Sequence, residues 1–226
     1  MKNTVEKSLK ALSRCFVLDS NISINDYVPL DLSKSNKDLA SVDVSSSNKL
    51  ESYIHAHITA HQAKVAYGGY IETRNIYQRS TYFKAANPET ERNIHLGLDL
   101  WIAAETPIYT PLDGTVHSFK NNTTFGDYGP TIILKHHIDN LEFYTLYGHL
   151  SSASIENLKV GHVFNKGQQI ATLGDASVNG DYAPHLHFQI IKDMQDYKGD
   201  YPGVCSKMDL EFYKENCLDP NLILKL

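Results

Sequence analysis

The sequence predicts a mainly β protein, an antiparallel sheet folded on itself, with short helices confined to the N-terminal third. Three observations carry this. In His95-Leu96-Gly97-Leu98-Asp99-Leu100-Trp101-Ile102 the alternation is strict, placing Leu96, Leu98, Leu100 and Ile102 on one face and His95, Gly97, Asp99 and Trp101 on the other. Further short runs follow at Thr115–Phe119, Thr131–His136, Glu142–Tyr147, Gln169–Leu173 and His185–Ile191, separated by Gly, Asn, Asp and Pro turns. Few intervals of helical spacing interrupt them, which argues against alternating strands and helices.

The elements run as follows. Val5, Leu9, Leu12 and Phe16 recur at helical spacing and predict a short amphipathic helix. Asn21 to Asn48 is rich in Ser, Asn, Asp and Lys and reads as loop or linker. A second helical pattern sets Leu50, Ile54, Ile58 and Val65 on one side and closes at Gly68-Gly69. His55, His57 and His61 lie on it as an exposed face and are assigned no function. Strand patterns begin at Tyr70. Residues 1–67 are therefore expected to be a helical and linker extension packing on a core formed by 68–226.

Composition narrows the class. A chain of 226 residues buries roughly 70% of its unfolded surface and needs no staples. Lys and Arg number 21 against 26 Asp and Glu, a net charge of −5, which argues against a nucleic-acid partner. No apolar run approaches a membrane span. Cys15, Cys205 and Cys217 form no paired framework and are expected to be free thiols, although a Cys205–Cys217 bridge is geometrically open. Glu6, Lys7, Lys10 and Arg14 interrupt the first apolar residues, so no secretory signal is read there and a cytoplasmic location is expected.

Three segments carry chemistry. They are His95 and Asp99, His149 in Tyr147-Gly148-His149-Leu150, and His185-Leu186-His187. Histidines two apart on a strand share a face, so His185 and His187 serve one site. A straight strand would hold His95 and Asp99 about 13 Å apart, so a bend is needed, and Gly97 sits at the midpoint to supply it. Two imidazoles and a carboxylate with an open fourth position make a catalytic zinc site, where zinc polarises a carbonyl and lowers the pKa of a bound water to roughly 7. Five candidates exceed three ligands, leaving two histidines for proton transfer and oxyanion stabilisation. His136-His137 cannot both point inward, and His117 and His162 lack a partner pattern.

The set His95-xxx-Asp99, then His149 before a leucine, then Pro184-His185-Leu186-His187-Phe188, closely resembles the lysostaphin-type (LytM) zinc metallopeptidases. The resemblance covers about residues 68–226. It extends to Thr106-Pro107-Ile108-Tyr109, Asp113-Gly114-Thr115-Val116, Val160–Gln168 and Ile170-Ala171-Thr172-Leu173-Gly174. It implies an antiparallel sheet of the lysostaphin, or duplicated hybrid motif, type with a groove over Zn2+. It also implies His95, Asp99 and His187 as zinc ligands, His149 and His185 as catalytic histidines, and a peptide or peptidoglycan-like substrate. Gly199–Cys205 and Cys217–Leu224 look closest to the peptidase module that some proteins fuse to a phosphotransferase and a class III aminotransferase.

The expected activity is that of a zinc metalloendopeptidase, a hydrolase of peptide bonds. The competing reading is a catalytically silent module binding a peptide or partner in the same groove, which has no need of His149 and His185. A phosphocarrier is disfavoured because Asp99 would repel a phosphohistidine. Arg74 and Tyr77 are candidates for substrate contact, although a solvated surface arginine is the commoner case. The loop Asp175–Ala183 is expected to wall the groove, with Tyr182 facing the ligand or capping the strand.

Overall fold

The computed structural model describes residues 4–226. In chain order the strands are β1 (Tyr27–Pro29), β2 (Val65–Gly68), β3 (Glu72–Thr73), β4 (Ile94–His95), β5 (Leu98–Trp101), β6 (Pro107–Tyr109) and β7 (Gly114–Asn122). They continue as β8 (Gly129–Ile138), β9 (Leu141–Gly148), β10 (Val163–Phe164), β11 (Gln169–Thr172), β12 (His185–Ile191), β13 (Val204–Cys205) and β14 (Cys217–Leu218). The helices are α1 (Val5–Ala11), α2 (Ser47–Ala60), α3 (Ala153–Glu156), α4 (Leu210–Asn216) and α5 (Asn221–Leu224).

The protein is mainly β. The main sheet has the order β1-β2-β5-β12-β9-β8-β7-β10, with β14 pairing Ile190 and Ile191 of β12. Its pairings are antiparallel apart from β1 with β2, which run parallel. Two small sheets have the orders β13-β4-β3 and β11-β6. The strand β12 lies near the middle of the main sheet, and all seven of its residues are buried. That position lets β5 and β9 present side chains on either side of it.

The strict alternation of residues 95–102 does not form one strand. The chain changes sheets at Leu96-Gly97, so β4 pairs with β3 and β13 while β5 pairs with β2 and β12. Leu96 accordingly joins a different hydrophobic cluster from Leu98 and Leu100. The break expected at Gly97 is present, and glycine is required there for a second reason: a Cβ would lie 2.5 Å from the His187 ring.

The N-terminal third departs from its pattern in three places. The first helix stops at Ala11, leaving Phe16 outside it; Thr4 caps its start, accepting from the Lys7 amide at 3.3 Å. The second ends at Ala60, the chain turns through Gln62 at φ 53°, and Val65 opens β2 instead of closing the helix. The polar stretch 21–48 holds β1 and two 3-10 turns as well as loop. Its few apolar residues are placed efficiently. Val28, Leu30 and Leu32, with Leu50 and Ile54 of α2, bury against Ile76, Tyr77 and Trp101. Each such side chain contributes about 1.5–3 kcal/mol when fully buried, enough to hold a polar segment down. Val5 and Leu9 of α1 join the central cluster with Phe143, Tyr147 and Phe188.

Cys15, Cys205 and Cys217 are free and buried. Burial pushes the thiols of Cys205 and Cys217 up to about 12, which keeps them protonated and unreactive. Among the described residues no helix is long and apolar enough to cross a membrane.

Candidate metal centre

Register brings the site together. On β12, His187 stands opposite Asp99 of β5 and opposite Gly148 of β9, while His185 stands opposite Trp101. Cross-strand partners share a face, so these pairs converge. His149 comes one residue beyond β9. It is not on a regular strand face as its sequence context suggests, because its φ is +63°, the left-handed region. Two backbone bonds fix that conformation, His149 N–H to Tyr128 C=O and Gly174 N–H to His149 C=O, each at 2.9 Å.

His95 Nε2 and His187 Nδ1 lie 3.2 and 3.3 Å from Asp99 Oδ1 and 2.8 Å from each other. The three residues are at most 2% exposed. The ring protons are committed elsewhere. His95 Nδ1–H donates to the Gly69 carbonyl at 2.9 Å. His187 Nε2–H donates to Gln189 Oε1 at 3.0 Å, and Gln189 is oriented by its own Nε2, which donates to Pro202 C=O and Cys217 Sγ. The nitrogens facing each other therefore carry lone pairs in the neutral rings. Asp99 Oδ1 is buried without a hydrogen-bond donor. Three acceptors converge with no proton between them, a repulsive arrangement that a cation reverses. Two nitrogens and one carboxylate oxygen are the donor set zinc prefers, and these residues fit it.

The electrostatics agree. Burial works to raise the Asp99 carboxyl, but His95 and Arg74 outweigh it and hold the group well below the usual carboxylate range. Burial lowers His95 to about 4 against the opposing pull of Asp99. His149 and His185 are also lowered, first by burial. Their Nδ1–H groups donate to the carbonyls of Asn179 (2.8 Å) and Ala183 (2.7 Å). Each therefore turns a proton-free Nε2 toward the site, and the two rings lie 4.2 Å apart. His185 Nε2 is 3.8 Å from Asp99 Oδ1, and its ring stacks on Trp101 at 5.8 Å.

Arg74 is not a solvated surface residue. It is 4% exposed, with Nε on Glu72 and Nη1 on Asp99 Oδ2, which leaves Oδ1 without a donor. Gly69, at φ +103°, makes room for it, since a Cβ there would lie 1.9 Å from Nη2. Tyr77 and Tyr182 line the cavity over the site, and Tyr182 O–H is committed to the Gly126 carbonyl at 2.8 Å. The 175–183 loop does wall the cavity through Tyr182 and Ala183, and its Asn179 carbonyl sets the His149 tautomer. His136 is inward and His137 outward. His57, half-buried on α2, packs against exposed His61 just past the helix end, and its Nε2–H donates to the Pro29 carbonyl at 2.9 Å, so the expected exposed histidine face is only partly present.

Sequence reasoning missed Gln189, Trp101 and the Gly69 carbonyl. Gln189 shares the face of His185 and His187 by the same period of two, and an inward glutamine in an otherwise apolar run was a legible signal. The Gly69 carbonyl lies far along the chain and no residue type marks it.

Comparisons with known proteins bear on this region. The sequence model of Peptidase family M23 matches residues 93–199, which include His95, Asp99, His149, His185 and His187 but neither Arg74 nor Tyr77. A curated relative, the peptidoglycan DD-endopeptidase ShyA of Vibrio cholerae, is 33% identical over 107 residues, covering 46% of this chain and 22% of ShyA. The chain thus matches about a fifth of that relative's length. Among solved structures, the catalytic domain of lysostaphin from Staphylococcus simulans is 26% identical over 54% of this chain and 80% of that one, with a TM-score of 0.37. A zinc-containing peptidase from Vibrio cholerae is 29% identical over 48% of this chain and 30% of that one, with a TM-score of 0.35. The family match falls on the region that holds the three convergent side chains and the two flanking histidines.

Proposed function

We propose that the chain is a zinc-dependent endopeptidase that hydrolyses peptide bonds in peptidoglycan cross-links or another short peptide. The observation that carries the reading is the convergence of His95 Nε2, His187 Nδ1 and Asp99 Oδ1 with no proton between them, flanked by two histidines whose Nε2 atoms face the same space. His95, Asp99 and His187 would hold the ion. Bound there, zinc supplies Lewis acidity, polarising a carbonyl and lowering the pKa of a water to about 7.

The remaining steps belong to this chain's own residues. His149 and His185 are neutral with Nε2 free, so one accepts a proton at Nε2 as the nucleophile attacks. Once protonated, Nε2–H becomes a donor, able to serve the developing oxyanion or the leaving amine. The carbonyls of Asn179 and Ala183 hold the rings in that tautomer throughout. Trp101 and Tyr182 exclude water from one side of these rings. A silent binding module needs none of this arrangement. We also place the chain nearest the peptidase modules fused to phosphotransferase and aminotransferase domains, on the motifs at 199–205 and 217–224.

The test is to load the protein with zinc, incubate it with peptidoglycan fragments and with short Gly- and Ala-containing peptides, and read products by mass spectrometry. Zinc-dependent cleavage that chelator abolishes and zinc restores is the expected result. No product from any of these at full zinc loading would overturn the reading.

A further inference from the structure

Arg74 lies outside the family-matched stretch 93–199, yet it is clamped against one of the three convergent side chains. Its Nε donates to Glu72 Oε2 and its Nη1 to Asp99 Oδ2, each at 2.5 Å, and the guanidinium lies over the Trp101 ring at 5.6 Å. Nη2 packs against Gly69, where no Cβ intrudes, and is buried without an acceptor. Two nitrogens are engaged and the third is sealed in, an arrangement suited to holding a neighbour in place.

Glu72 is itself seated by the N-terminal segment. Its Oε1 accepts Leu32 N–H at 3.2 Å, and beside it Lys34 N–H donates to Thr73 C=O at 2.9 Å. A relay therefore runs from Leu32 through Glu72 and Arg74 to Asp99. Stability alone is a poor reason for it, since the desolvation of buried charges offsets much of their attraction. Its geometric consequence is specific. An unrestrained carboxylate offers a cation two equivalent oxygens and can chelate with both. Here Oδ2 is held by a charged donor, and Oδ1 alone is left, 3.2 and 3.3 Å from the nitrogens of His95 and His187. Three single donor atoms leave a tetrahedral ion its fourth position, which chelation by both oxygens would fill.

We infer that Arg74 is a positioning residue: braced by Glu72, it confines Asp99 to ligation through one oxygen and so keeps the fourth position of the metal centre open. The inference rests on the zinc reading above. It adds a part supplied by Leu32, Glu72 and Arg74, all N-terminal to the family-matched stretch. Arg74 acts through Asp99 and on no reacting atom.

The test compares the full-length parent with Glu72→Gln, Arg74→Lys and the double variant Glu72→Gln/Arg74→Gln. A glutamine at 74 ends about where Nε lies, short of Asp99, and the change at 72 leaves no unpaired carboxylate behind. Zinc affinity is read by chelator competition, and coordination by the visible spectrum of the cobalt(II)-loaded protein, whose band weakens as four ligands become five. Circular dichroism of the metal-free proteins monitors the fold. The double variant should fold, bind zinc about 10–100-fold more weakly and lose cobalt band intensity. Glu72→Gln, with Arg74 in place, should keep the parental spectrum. Arg74→Lys, which keeps the charge without the planar fork, should fall between parent and double variant. Parental affinity and spectrum in a folded double variant would overturn the inference. So would a double variant that does not fold, since Arg74 would then be a brace of the fold alone. A parent that binds both metals with the four-coordinate spectrum but yields no peptide product would remove the peptidase reading and leave the role of Arg74 standing.

Discussion

Gln189 Oε1 accepts the Nε2–H of His187 at 3.0 Å, two residues along the same strand, and so decides which nitrogen of that ring faces Asp99. The amide is itself locked, because its Nε2 donates to Pro202 C=O at 3.2 Å and Cys217 Sγ at 3.1 Å. Partners of this kind typically change metal affinity by about 10–100-fold. Gln189→Ala should therefore weaken zinc binding by about that factor while the three ligands stay in place. Competition against a chelator of known affinity measures it; an unchanged affinity would mean that the ring is held by packing alone.

The two histidines of β12 should fail differently. His187→Ala removes one of the three proposed ligands and should lose zinc and activity together. His149→Ala and His185→Ala should keep near-stoichiometric zinc and lose about 10²–10⁴ in turnover, the usual cost of removing a general base or oxyanion donor. Metal content and single-turnover rates on the same preparations separate the cases. Zinc loss from His185→Ala with retention by His187→Ala would reverse the assignment.

Much of this site was legible because strand periodicity is a local property. The HxH face of β12, and the need for a bend between His95 and Asp99, follow from a period of two and a rise per residue. The change of sheet at Leu96-Gly97 was not legible, since partner strands that lie far off in sequence determine it. Val65 is the same case: it continues a helical spacing but opens β2, where it stands opposite Tyr27 of β1. Polar composition misled at 21–48, where three buried apolar side chains suffice to anchor β1 and its flank. Arg74 was hardest, because an arginine 25 residues from Asp99 gives no sign that it is nearly fully buried against it.

Gly97 offers a steric test of the centre. A Cβ there would meet His187 Cε1 at 2.5 Å, Nε2 at 2.6 Å and the Phe188 carbonyl at 2.9 Å. The carbonyl is backbone and cannot yield, so the ring must move or the strand must shift. Gly97→Ala should cost about 1–3 kcal/mol, the range for overpacking, and weaken zinc binding at the same time. Denaturant unfolding and metal titration are the paired measurements. A loss of stability with zinc affinity intact would show that β4 moves instead of His187.

His136 gives a pH test independent of the metal centre. Its Nδ1–H donates to Asp113 C=O at 2.8 Å, its Nε2 lies 2.7 Å from Thr145 Oγ1, and its ring stacks on Phe143. Burial is the chief cause that lowers its pKa from 6.5 to about 4, so the folded protein resists a proton that the unfolded chain accepts. Its contribution to stability is therefore fully present above pH 6.5 and is lost as pH falls toward about 4, at up to about 1.4 kcal/mol per pH unit for one proton. Urea unfolding at pH 7, 5.5 and 4.5 should show this decline in the parent, and His136→Gln should show a shallower one. Parallel declines in the two proteins would place the acid sensitivity elsewhere, with His95 the next candidate because burial lowers it to about 4 as well.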